Sequence, residues 1–281
     1  MRWEMGRRST NVQDLRGAGG GRTMVGGGIG AILVALLVFL LGGDPSAILG
    51  SGPSDYSAPP TQTAGNDQEI EFVSRVLGST EDVWSQIFQA NGTRYVTPEL
   101  VVFSGAVESA CGRAGASVGP FYCPLDQKVY IDLSFYDDLR NQLGAPGDFA
   151  QAYVLAHEVG HHVQNLLGIS EQVQSLQQRV GRTQANQLSV MLELQADCFA
   201  GVWANNAEQY YQQQYLEEGD VEEALNAAAQ IGDDRLQKRS QGYVVPESFT
   251  HGTSAQRARW LTTGLQSGDI NQCNTFEASQ L

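Results

Sequence analysis

His157, Glu158 and His161 stand in the order His-Glu-x-x-His. On a helix, residues four apart lie one above the other on the same face, so the two imidazoles come close enough to share one metal ion. Glu158 sits one residue round, where it reaches a water on the metal rather than the metal itself. A neutral imidazole is a natural zinc ligand, and a carboxylate is a natural acceptor for the proton of zinc-bound water. Two histidines still leave a catalytic zinc one protein ligand short. Glu193 and Asp197, again four apart, offer it. Two acids side by side on an otherwise apolar helix are costly to bury unless something positive neutralises them. Glu193 then serves as the third ligand, and Asp197 as the hydrogen-bond partner of the outer nitrogen of His157. The expected cofactor is one Zn2+ per chain. His162 points about 100° away on the same helix and is set aside as a non-ligand. His251 is the candidate donor to an oxyanion, with Arg257 and Tyr153 as weaker alternatives.

Two elements must position these groups. Residues 148–167 carry apolar positions at three- and four-residue spacing, with Gly168 as a stop signal, and predict the helix that bears the histidines. Residues 185–211 are apolar around more than one face, which predicts a central, well-buried helix bearing Glu193 and Asp197. Around them the pattern predicts a helix over 69–77, a second capped by Thr80 and running to Phe88, and strands at 99–103 and 128–133. Shorter helices follow at 135–143, from Ser170 to Val180, at 221–231 after Asp220, and from Ser254 to Leu265. Residues 111–123 read as turn and loop, and 232–250 as polar and irregular. The expected fold class is α+β, one helix-dominated domain over residues 67–281 with a small mixed sheet.

The 281 residues carry a formal net charge of −14, unevenly placed. Residues 1–23 hold five arginines against Glu4 and Asp14, while the remainder holds 12 Lys/Arg against 29 Asp/Glu. So acidic a body argues against nucleic acid as a partner, because phosphates need cationic surface. Residues 23–43 carry no charge and, as a helix, would span about 30 Å, one bilayer core. They predict one transmembrane helix, with residues 1–22 as a basic, disordered cytoplasmic tail and 44–66 as a Gly/Ser/Pro-rich linker. The arginines before the span put the N-terminus inside and the domain in the periplasm or outside the cell. Four cysteines, Cys111, Cys123, Cys198 and Cys273, agree with an oxidising compartment. Cys111 with Cys123, and Cys198 with Cys273, is one of three possible connectivities, and spacing alone does not choose.

His157-Glu-x-x-His161 followed by Glu193-x-x-x-Asp197 resembles the glutamate-type zincins. More closely, the whole chain resembles the bacterial neutral zinc metallopeptidase family with a single N-terminal membrane anchor. The likeness rests on the motif at His157 and on four stretches: 119–124 (GPFYCP), 130–132 (YID), 193–201 (ELQADCFAG) and 250–257 (THGTSAQR). It implies a zincin-like fold and a metalloendopeptidase acting on a peptide or protein. Glu158 would take a proton from the attacking water and pass it to the leaving amine. It also implies substrate pairing on an edge strand, for which Val129–Leu133 is the expected segment. Two other readings stand beside it: a membrane-anchored binding or scaffold protein with a structural metal, whose fourth ligand would be Asp197 or His251, and a zinc hydrolase acting on another amide such as a cell-wall peptide.

Overall fold

The computed structural model describes residues 1–16 and 64–281. In chain order these form β1 (Val12–Asp14), α1 (Ala64–Ala90), β2 (Glu99–Phe103), β3 (Ala106–Ser109), β4 (Gly112–Gly115), β5 (Phe121–Cys123) and β6 (Lys128–Asp132). Then come α2 (Ser134–Asn141), α3 (Asp148–Leu166), α4 (Ile169–Gln177), α5 (Arg182–Tyr210), α6 (Asp220–Gln230), α7 (Asp233–Gln241) and α8 (Ser254–Ser267). The helix-dominated α+β class is as expected. A mixed sheet in the order β1-β2-β6-β5 is parallel except for β5, which runs antiparallel to β6 at the edge. β3 and β4 make a separate hairpin.

The core forms where α3 and α5 meet. Gly160 on α3 lets the two backbones approach: a Cβ there would lie 2.9 Å from the carbonyl oxygen of Ala196. α8 crosses the other side of α5 more closely still, since a Cβ on Gly264 would overlap the carbonyl oxygen of Cys198. Phe149, Trp203, Phe199, Trp84 and Leu77 fill the space between α3, α5 and α1. The disulfides are Cys111–Cys123 and Cys198–Cys273; the second ties the 3-10 turn Ile270–Cys273 to the middle of α5.

Several expectations are corrected. Residues 69–88 form one continuous helix rather than two. Thr80 does not cap a second one; its hydroxyl donates to the carbonyl of Leu77 at 2.7 Å, inside the helix. Neighbours supply the reason: Trp203 donates to Ser79 Oγ, and Gly78 lies against the backbone of Arg7. The cysteine loop contains β4, a 3-10 turn and β5, and α7 stands in the stretch read as irregular.

The largest correction concerns the N-terminus. Residues 1–16, expected as part of a disordered tail, belong to the domain. β1 pairs in register with β2, and Ser9 and Asn11 donate to the buried carboxylate of Glu81 at 2.6 and 2.7 Å. Met1 is buried, and its ammonium lies 2.9 Å from Asp148 and 3.1 Å from Asp220. A strand cannot pair in a sheet and lie across a bilayer from it. The arrangement with the tail inside and the domain outside therefore does not fit residues 1–16. The predicted span 23–43 and linker residues 44–63 lie outside the described residues, and α1 takes up residues 64–66. Among the described residues, no helix is long and apolar enough to cross a membrane.

Candidate metal centre

α3 presents His157 and His161 to α5, which presents Glu193 and Asp197. Nε2 of His157 lies 3.1 Å from Glu193 Oε2, and Nε2 of His161 lies 3.4 Å from Glu193 Oε1. Two ligands of a tetrahedral zinc, each about 2.1 Å from the ion, are roughly 3.4 Å apart. The trio matches that spacing, and one donor atom from each falls within 4.8 Å of the others. Two imidazole nitrogens and one carboxylate oxygen, converging in a buried pocket, are a donor set that fits zinc.

Asp197 is completely buried and carries four polar contacts. It accepts from Tyr153 Oη at 2.5 Å, and from Arg257 Nε and Nη2 at 2.8 Å each. Its fourth partner is His157 Nδ1 at 2.7 Å, which leaves Nε2 of that ring facing Glu193. Burial alone would raise the Asp197 carboxyl, but Arg257 and His157 outweigh it and lower the group to about 2. His157 shows the converse: burial opposes its charge, yet Asp197 and Glu193 lift it to about 10. Glu193 is held well below the ordinary carboxylate range, burial being outweighed by His161 and His251. The site is organised for positive charge.

Glu158 differs from both acids. It lines the pocket beside His157 and His161, and no described residue donates a hydrogen bond to it. Burial pushes its carboxyl up, against the pull of His161 and His157. The cavity in front of it, about 180 Å³, is walled by Val118, Phe121, Phe135, Leu143, Val154 and Leu236.

His251 reaches the same cavity from the loop before α8. Asp233, unnoticed in the sequence, holds it there. One carboxylate oxygen accepts from the backbone of Thr250, His251 and Gly252 at 2.7–3.0 Å, and the other faces His251 Nδ1 at 3.2 Å. An Asp at the first position of α7 was the only local signal. Arg257, weighed as an oxyanion donor, instead grips Asp197, and Tyr153 shares that grip. His162 points away as expected: it donates from Nε2 to the Val96 carbonyl at 2.6 Å and accepts on Nδ1 from Tyr122 at 3.0 Å. The strand expected to receive substrate, Val129–Leu133, is β6, which is enclosed between β2 and β5. β5 holds the edge, and its Phe121 and Tyr122 line the cavity.

Two crossed helices beside a sheet edge, converging two histidines and a glutamate, define a candidate metal centre. The sequence comparisons are more specific: residues 1–276 match the family model described as "Putative neutral zinc metallopeptidase", and the chain belongs to that family. The uncharacterized protein YpfJ of Escherichia coli (strain K12) is 50% identical over 289 residues, covering 99% of this chain and 100% of that protein. The uncharacterized protein Mb2605 of Mycobacterium bovis is 42% identical over 260 residues, 86% of each chain. No solved structure matches.

Proposed function

We propose that this domain is a zinc-dependent peptidase, with His157, His161 and Glu193 holding the metal and Glu158 acting as general base and acid. The observation that carries the reading is Glu158, a carboxylate beside the three donors, with a raised pKa, no hydrogen-bond donor among the described residues and a cavity before it. A bound zinc would supply Lewis acidity, acidifying a water and polarising the scissile carbonyl. Glu158 accepts the proton of the attacking water and returns it to the leaving amine. His251 donates to the oxygen of the attacked carbonyl, and the substrate backbone extends along β5, the last strand of the sheet among the described residues. A purely structural metal would call for a fourth protein ligand. Asp197 is committed to Arg257, Tyr153 and His157, and among the described residues the donor atoms of His157, His161 and Glu193 fall within 4.8 Å of one another without His251 in the group, which weighs against the scaffold reading.

The two disulfides suit an oxidising, extracytoplasmic compartment. Since β1 belongs to the sheet, we place residues 1–16 in that same compartment, whichever way residues 23–43 meet a membrane.

The test is hydrolysis of a mixed peptide library by the purified zinc-loaded protein and by Glu158→Gln. Wild type should cleave, and the variant should keep its zinc while losing about 10²–10⁴-fold in rate. Equal cleavage by both would remove Glu158 from the chemistry.

A further inference from the structure

His157 owes its orientation to a buried carboxylate, but His161 has none. Its Nδ1 lies 2.9 Å from Gln164 Oε1, one turn further along α3. Gln164 Nε2 in turn donates to the carbonyl of Leu192 at 2.7 Å and to Gln195 Oε1 at 3.1 Å. Gln195 Nε2 donates to the carbonyl of Cys273 at 2.9 Å. Both glutamines are buried. α3 and α5 thus contribute one buried glutamine each to a chain of amides that ends on His161.

We propose that Gln164 and Gln195 are positioning residues, relaying to His161 a hydrogen-bond polarity set at Cys273. The proposal rests on the reading of His161 as a metal ligand. A backbone carbonyl only accepts, so Gln195 must turn its NH2 toward Cys273 and its oxygen toward Gln164. Gln164 must then offer its NH2 to Gln195, an orientation that Leu192 enforces independently, and its oxygen to His161. His161 is left to donate from Nδ1, which frees the Nε2 lone pair facing Glu193 for a metal. Reversing any amide would set two carbonyl oxygens against each other and, at the end of the chain, place the proton of a neutral His161 on the nitrogen the metal needs.

The anchor is held covalently and by hydrogen bonding. Cys273 is disulfide-bonded to Cys198, on the same helix as Gln195 and Glu193. Two residues on, Thr275 donates from its hydroxyl to the carbonyl of Met191 at 2.6 Å. The C-terminal turn thereby becomes part of the metal centre without touching the metal.

The experiment combines zinc titration against a competing chelator with long-range 1H–15N correlation spectra of the histidine rings. It compares the wild-type chain with Gln164→Met and Gln195→Met. In the zinc-loaded wild type, the His161 ring proton should sit on Nδ1. Gln164→Met should weaken zinc about 10–100-fold, in the range found for lost partners of metal ligands. Gln195→Met should weaken it less, because Leu192 still orients Gln164. The His157 ring signals should stay unchanged in both. A variant that only loosens the fold would lower its unfolding midpoint without changing zinc affinity or the His161 ring, and that result would overturn the proposal. So would wild-type zinc affinity in both variants. If Gln164→Met does not fold, Gln195→Met decides by the same two readings. If the wild type binds no zinc, the metal reading fails by itself. The relay is then judged on the metal-free ring of His161 at alkaline pH, where a proton on Nε2 would refute it.

Discussion

At the residue scale, the centre separates its carboxylates by what each one touches. Asp197 is saturated with donors, Glu193 faces two imidazoles, and Glu158 accepts from none of the described residues. The three differ in pKa accordingly, which is how neighbouring acids take separate roles. His251 follows the same logic. Burial lowers its pKa, but Glu193 and Asp233 raise it overall. Because the ionised Asp233 accepts from Nδ1, a neutral His251 carries a lone pair on Nε2, and only the charged ring has an N–H for an oxyanion. Activity should therefore persist through neutral pH and fall as pH rises through that elevated pKa. His251→Phe should cost about 10²–10³-fold in kcat. His251→Gln, whose amide keeps its hydrogens, should retain part of the rate and lose the alkaline fall. A wild-type alkaline limb retained in His251→Gln would assign it to another group.

Among the elements, crossings decide the site. α5 is gripped on one side by α3 at Gly160 and on the other by α8 at Gly264, and the second crossing brings Arg257 onto Asp197. Gly264→Ala forces a Cβ into the carbonyl of Cys198. It should destabilise the fold by at least about 1–3 kcal/mol, read as a lowered urea midpoint, and should weaken zinc as Arg257 shifts. An unchanged midpoint would mean that the helices separate freely. α3 and α5 were legible in the sequence because long apolar periodicity needs no knowledge of partners. So was the face shared by His157 and His161, since spacing on one helix fixes it, and the structure brings Glu193 to that pair from α5. Asp233, Gln164 and Gln195 were not legible, because each acts through contacts distant in sequence or through a backbone carbonyl. β5 is hidden by its three-residue length and by the glycines before it, so the pattern places the expected substrate edge on β6, one strand too far in.

For the whole molecule, the informative fact is where the first sixteen residues lie. Charge and hydropathy predicted a tail left behind on the far side of a membrane, because local composition says nothing about a three-residue strand that pairs with Leu100–Val102. The fold instead puts residues 1–16 with the domain. With the domain in the extracytoplasmic compartment proposed for it, cysteines introduced at the exposed Thr10 and Asn141 should react together with a membrane-impermeant maleimide on intact cells. Labelling of Asn141→Cys alone, with Thr10→Cys reacting only after lysis, would show that β1 is not part of the sheet in the cell.

Above the residue scale, the proposal is that α3 and α5 bring three protein donors, His157, His161 and Glu193, to one metal. Its most direct measurement is zinc content by mass spectrometry of the full chain, wild type beside Glu193→Ala, after equal exposure to zinc and removal of excess. About one zinc per wild-type chain, and little in the variant, is the predicted result. A Glu193→Ala protein that keeps its zinc would contradict the three-ligand centre and, with it, the role given to Glu158.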